Sequence, residues 1–103
     1  MKIELYKGLY VAEWIDEEEI QEPALSQVYV LNDDFTPMDF VAKVMERFFY
    51  MDRVKALETT MEAHVNGSAL CGVFSKDLAE TKVHQVIEYA RNHDHPLILR
   101  MEA

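Results

Sequence analysis

The sequence VYVLNDDFTPMDFVAKVMERFF, at residues 28–49, combines a short strand, a polar turn and an amphipathic helix in direct succession. Residues 28–31 are β-branched, aromatic or aliphatic, and four apolar residues in a row predict a strand that is buried on both faces. The turn places Asn32 and Asp33 between this strand and the helix. Two interpretations stay open for the pair: a turn whose side chains satisfy its own backbone, or a rigid site for a cation.

The helix is indicated by its first residues and by its apolar face. Thr36 is the predicted N-cap, Pro37 takes the first helical position and Asp39 the third, in a variant of the capping box. Apolar residues then recur at helical spacing and predict the side that faces the core: Phe40, Val41, Val44, Met45, Phe48 and Phe49.

A second helix is predicted over residues 53–65. Asp52 caps it, and Asn66 and Gly67 end it. Its predicted core stripe is Val54, Leu57, Met61 and Val65, beside a second line of Ala56, Thr60, Ala63 and His64.

The remaining elements are a strand, a helix and a last strand. The strand is predicted over residues 69–74, where Gly72 marks a bulge or a close approach. Ser75 caps the third helix, whose apolar line is Ala79, Val83, Val86, Ile87 and Ala90. Pro96 precedes the last strand, which contains Leu97, Ile98, Leu99 and Met101. The order βααβαβ predicts an α+β sandwich, a small sheet packed against helices on one face.

The composition bounds the class of protein. A chain of 103 residues, half of them apolar, forms one domain with one core. A net charge of −9 makes nucleic acid a poor partner, and no apolar run is long enough for a membrane span. A single cysteine, Cys71, and the absence of a signal-peptide pattern predict a cytoplasmic protein.

Residues 1–26 are predicted to form an N-terminal extension, and residues 27–103 the core domain. The extension has seven acidic residues and two lysines, and the acids concentrate before Pro23. Such a run is typically solvated, so flexibility is predicted through residues 16–26. Residues 3–15 are more apolar and predict a short helix or strand that docks on a partner or on the protein itself.

No pattern indicates catalysis, a metal or a cofactor. Cys71 lies in an apolar strand, where burial makes a thiol inert. His93 and His95 are two residues apart near a helix end, which suits the helix dipole better than a shared metal ion. Neither a glycine-rich phosphate loop nor a nucleophile elbow is present.

His64 has two possible roles, as a satisfied structural side chain or as a ligand-binding group. If the second helix packs along the end of the first strand, His64 faces Asn32 and Asp33. The three would ring a depression with an apolar floor, which is the form of a small-ligand pocket.

The motifs NDDFTPMDFV (32–41), His64 with Asn66-Gly67, LCGVF (70–74) and AETKV (79–83) together resemble the ClpS family over residues 27–103. This resemblance implies a three-stranded antiparallel sheet with three helices. It also implies an adaptor that binds the free α-amino group and bulky first side chain (Phe, Tyr, Trp or Leu) of N-degron proteins. The adaptor would deliver them to the N-terminal domain of a ClpA/ClpC-type AAA+ unfoldase, for degradation by ClpP.

The resemblance also implies roles for individual residues. Asn32, Asp33 and His64 match the α-amino binders, and the pocket positions are Thr36, Met38, Val41, Thr60, Ala63 and Leu97. Glu80 and Lys82 fall on the helix whose face binds the unfoldase. Two positions depart from the family, since Thr60 replaces a usual Met and Ala63 a usual Val. The extension shows no residue match.

Two rival functions are considered. One is a plain protein–protein module of similar topology, like the C-terminal domain of the ribosomal stalk, without a pocket. The other is a small hydrolase that uses Asp33 and His64, although no nucleophile lies near them in the sequence.

Overall fold

The computed structural model describes Leu5–Tyr6, Leu9–Tyr10 and residues 24–103. The first two segments are strands β1 and β2, which pair antiparallel. The elements that follow are β3 (Leu25–Leu31), α1 (Met38–Phe49), α2 (Arg53–Asn66), β4 (Ser68–Ser75), α3 (Lys76–Asn92) and β5 (Ile98–Glu102).

Strand β3 is the centre of a three-stranded sheet of order β4-β3-β5, and both of its neighbours run antiparallel to it. This sheet and the three helices confirm the predicted α+β class and the order βααβαβ for the core. Strand β3 begins at Leu25, so Leu25 and Ser26 belong to the sheet rather than to a flexible extension. The predicted acidic flexible run, 16–22, lies outside the described residues.

The central strand is buried mainly on one face. Val28 and Val30 are fully buried, whereas Tyr29 and Leu31 are half-buried. The prediction of a strand buried on both faces was therefore wrong. The helices cover a single face of an antiparallel sheet, and the alternating side chains face solvent on the other.

Helix α1 has the predicted apolar side but a different start. Val41, Val44, Met45 and Phe49 are buried, and Phe40 and Phe48 pack at the edge of the core. The N-cap is Pro37 and no side chain caps the helix, so the assignment of Thr36 as N-cap was wrong. The reason is that the Thr36 hydroxyl donates to the Asp33 carboxylate instead of accepting from a helix N–H.

Helix α2 has the predicted ends but presents the other side to the core. The Asp52 carboxylate accepts from the backbone N–H of Lys55 at 2.7 Å, and Gly67 ends the helix with φ +93°. The predicted core stripe is wrong: Val54, Leu57, Met61 and Val65 are 46–70% exposed. The buried residues are instead Ala56, Thr59, Thr60 and Ala63.

The burial of small side chains on α2 has a physical reason. Helix α2 packs against α1 and β4, and short side chains let the backbones approach closely. The Thr60 hydroxyl donates to the Ala56 carbonyl at 2.7 Å, so its burial leaves no polar atom unsatisfied. Apolar periodicity alone selected the bulkier line, which the fold leaves at the surface.

Gly72 satisfies both predicted alternatives. The register between β3 and β4 shifts at Val28/Tyr29, because Val28 pairs with Gly72 while Tyr29 pairs with Leu70, which leaves Cys71 as the extra residue of a bulge. A Cβ at position 72 would lie 2.8 Å from the Phe74 ring, so the position also accommodates a close approach.

Candidate functional site

The end of β3 is attached to the end of α2. The backbone N–H of Asn32 donates to the Gly67 carbonyl at 2.9 Å. His64 lies on the last turn of α2, three residues before Gly67. The sequence therefore brings a strand end and a helix end together through main-chain geometry, and the polar residues at these ends become neighbours.

The carboxylate of Asp33 organises the turn between β3 and α1. Its Oδ1 accepts from the backbone N–H groups of Phe35 and Thr36 at 2.9 and 2.7 Å. The Thr36 hydroxyl lies 2.9 Å from Oδ1 and 2.8 Å from Oδ2. The satisfied-turn interpretation is thus correct for Oδ1. A carboxylate accepts about four hydrogen bonds, so Oδ2 retains capacity for a further donor.

A small depression lies beside this turn. Its volume is about 20 Å³, and its lining residues are Val30, Leu31, Asn32, Asp33, Thr36, Met38, Val41, Thr60, Ala63 and His64. A space of this size holds a water molecule but no amino-acid side chain. A bulky ligand therefore requires a lining side chain to move. Met38 is partly exposed, and its unbranched thioether adapts easily to a new shape.

Eight of the nine residues predicted for the amine and pocket positions line this depression. The exception is Leu97, which is buried in the core cluster and is not among the lining residues. Val30 and Leu31 were missed as lining residues. Their signal in the sequence was their position immediately before Asn32, but they were assigned to the core strand alone.

The two departures from the family pattern lie on one wall. Thr60 and Ala63 are both buried, on the side of α2 that faces the depression. Because the Thr60 hydroxyl is bound to Ala56, the wall offers a ligand mainly the Thr60 methyl group and the Ala63 methyl group.

Glu80 and Lys82, the predicted unfoldase contacts, differ in exposure. Glu80 is exposed, but Lys82 is only 8% exposed. The Lys82 ammonium donates to the Tyr50 hydroxyl at 3.1 Å and lies 4.4 Å from the centre of the Tyr50 ring. Tyr50 itself is exposed, and through these two contacts it shields the Lys82 ammonium from solvent.

Cys71 is far from a reactive state. Burial raises the pKa of its thiol from 9.0 to about 12, against a smaller lowering by a backbone hydrogen bond from Val30. Its Sγ donates to Met45 Sδ at 3.5 Å. Among the described residues, no cluster of three or more His, Cys, Asp or Glu side chains is arranged to hold a metal ion. Nor is any helix in that part of the chain long and apolar enough to cross a membrane.

Comparison with known proteins identifies the class of protein to which this chain belongs. The model of the family described as "ATP-dependent Clp protease adaptor protein ClpS" matches residues 21–100. The protein is thus an adaptor of the Clp protease rather than an enzyme, and the chain belongs to the ClpS family.

Two curated relatives illustrate the similarity. The chain is 48% identical over 84 residues to the ClpS adapter protein of Alkalilimnicola ehrlichii, covering 82% of this chain and 79% of the relative. It is 54% identical over 80 residues to that of Aromatoleum aromaticum, covering 78% of each.

A solved structure has the same fold. Agrobacterium tumefaciens ClpS2 bound to L-phenylalaninamide superimposes with a TM-score of 0.76 at 36% identity, covering 79% of this chain and 98% of that protein.

Proposed function

We propose that this chain binds the free α-amino group and the bulky first side chain, Phe, Tyr, Trp or Leu, of N-degron proteins. It delivers them to the N-terminal domain of a ClpA/ClpC-type unfoldase for degradation by ClpP. The observation that supports this proposal most is the convergence of Asn32, Asp33 and His64 around a depression with apolar walls.

The amine end of the ligand matches the charge of the rim. A free α-amino group has a pKa of about 7.7–8.0 and is mostly cationic near neutrality. Oδ2 of Asp33 supplies the opposite charge, while the Asn32 amide oxygen and a His64 ring nitrogen supply acceptors. Charge-assisted hydrogen bonds contribute roughly 1.5–3 kcal/mol each, so loss of one weakens binding measurably.

The first side chain of the ligand enters between α1 and α2. Met38 and Val41 form one wall, and Thr60 and Ala63 form the other. An apolar side chain therefore gains contacts while the amine stays at the polar rim. The bound amino-acid amide of the Agrobacterium structure has these two parts, a free amine and a phenyl side chain.

Delivery requires a second surface. We assign it to the exposed side of α3 around Glu80, together with residues 1–22 of the extension. Lys82 contributes there only if Tyr50 moves away or is itself part of the contact, since Tyr50 covers the Lys82 ammonium.

A reconstituted degradation assay tests the proposal. A reporter that begins with Phe is incubated with ClpP, the unfoldase and ATP, with and without this protein. We expect degradation to accelerate at least severalfold only when the adaptor is present, and only for the Phe-initiated reporter. Equal acceleration of a Ser-initiated reporter would contradict selective N-degron delivery.

A further inference from the structure

The exposed side of α2 has a row of apolar side chains that begins beside the candidate pocket. We call Val54, Leu57, Met61 and Val65 the α2 outer line; each is 46–70% exposed. The fold buries the small residues of this helix and leaves the large ones at the surface. Burial in the described core therefore does not explain why these four positions of α2 have large apolar side chains.

His64 lies between the two sides of α2. At about 100° per residue, Leu57 and Met61 fall about 20° and 60° to one side of His64, and Thr60 falls about 40° to the other. Thr60 lines the depression, whereas Leu57 and Met61 face outward. The helix thus places an apolar surface next to the residue at the rim.

The polypeptide that follows a bound N-terminal residue must leave the depression across its rim. On the turn side, Asp33 lines the depression, and the exposed residues Asp34 and Phe35 follow it in the turn. On the helix side, the substrate polypeptide passes His64 and then reaches the α2 outer line. From Leu57 to Val65 the line is about 12 Å long, which matches roughly four residues of extended chain.

We propose that the α2 outer line binds the residues that follow the first one in the substrate, with Leu57 and Met61 as the principal contacts. This inference rests on the proposed function, because it requires the substrate N-terminus to occupy the depression. It makes the adaptor sensitive to apolar residues at the second to fifth positions as well as to the first residue.

Two fluorescent peptides test this inference, both with Phe first. One has Leu and Ala at positions two to five, and the other has Gly and Ser there. Leu57 and Met61 are already about half-buried. Burial of the exposed half of one large apolar side chain corresponds to about a fivefold change in affinity, so we expect the wild-type protein to bind the apolar peptide about fivefold more tightly.

The variants Leu57→Gln and Met61→Gln should reduce this ratio toward one, while the affinity for the Gly/Ser peptide stays within twofold. Gln preserves helix propensity at these exposed sites. Leu78→Gln is the matched control, because Leu78 on α3 is 46% exposed, as is Leu57, and should leave the ratio unchanged.

Three results would overturn the inference. The first is a wild-type ratio of one. The second is a ratio of peptide affinities that falls in the Phe35→Ser variant but not in Leu57→Gln or Met61→Gln. That result would show that the substrate leaves the depression along the turn between β3 and α1. The third is unchanged peptide binding with reduced delivery in the α2 variants, which assigns the line to the unfoldase. Failure of both peptides to bind would instead contradict the proposed function itself.

Discussion

The backbone N–H of Asn32 donates to the carbonyl oxygen of Gly67 at 2.9 Å, which joins the end of β3 to the residue that ends α2. The bond depends on the left-handed conformation of Gly67, with φ +93°. The distance between the turn and His64 is therefore fixed by the main chain.

Gly67→Ala should lower both the stability and the affinity for a Phe-initiated peptide. An Ala Cβ meets no atom within 4 Å, so the cost is that of the backbone conformation, about 1–2 kcal/mol. Gly67→Asn is the control, because Asn tolerates this conformation better. Chemical denaturation and peptide titration measure the two effects. Equal stability of the Ala variant and the wild type would contradict the role of Gly67.

The buried thiol predicts a loss of stability at alkaline pH. Because the pKa of Cys71 is raised from 9.0 to about 12, the folded protein keeps a proton that the unfolded chain loses. The corresponding stability is fully present below pH 9 and is lost as the pH rises toward 12. Between pH 8 and pH 10 the loss is about 1.4 kcal/mol.

Urea denaturation of the wild type and of Cys71→Ala at pH 8 and pH 10 measures the contribution of Cys71 to the pH dependence of the free energy of unfolding. The variant is less stable at pH 8 because it leaves a cavity, but its stability should fall less by pH 10. Parallel pH dependences of the two proteins would show that Cys71 does not contribute.

The sequence predicted the elements well because local signals determine them. Asp52 and Gly67 bound α2 as expected, and the alternatives at Gly72 were both present. The buried side of α2 was mispredicted, since a line of large apolar residues competed with a line of small ones. Tertiary packing against α1 decided between them, and periodicity contains no such information.

The residues of the site were also predicted from the sequence, but two details of their side-chain geometry were not. Asn32, Asp33 and His64 were expected to face one another if α2 packs along the end of β3, and the family resemblance implied their roles. The structure brings all three to one depression. The participation of Asp33 in its own turn and the cover of Tyr50 over Lys82 depend on side-chain geometry, which the motifs do not specify.

The wall formed by Thr60 and Ala63 predicts a preference for aromatic first residues over Leu. The side chains of Thr60 and Ala63 are smaller than the Met and Val that are usual at these two positions in the family. An unfilled void costs roughly 24 cal/mol per Å³. Once Met38 moves and the depression opens, Phe, Tyr and Trp fill the space, whereas Leu leaves part of it empty.

Peptides that differ only in the first residue measure the preference. Leu should bind more weakly than Phe by about 1–3 kcal/mol, and Thr60→Met should restore part of the Leu affinity. Met38 is retained, which argues against general admission of Val and Ile. Equal affinity for Leu and Phe in the unmodified protein would indicate that the wall has closed around the smaller residues.

Removal of residues 1–22 should separate binding from delivery. Within the part of the chain that the structure describes, the residues that line the depression run from Val30 to His64, so the peptide affinity should stay within about twofold of the wild type. Degradation of a Phe-initiated reporter by the unfoldase and ClpP should stop. A truncated protein that delivers the reporter at the full rate would assign the extension another role.

The central claim is that the rim recognises a free α-amino group, and fluorescence anisotropy with a matched pair of peptides tests it most directly. The Phe-initiated peptide with a free amine should bind, and its N-acetylated form should bind at least about tenfold more weakly. Asp33→Asn, which keeps the Oδ1 acceptor of the turn, and His64→Ala should each lose tenfold or more for the free peptide. Equal binding of the free and acetylated peptides, with no loss in either variant, would contradict the account.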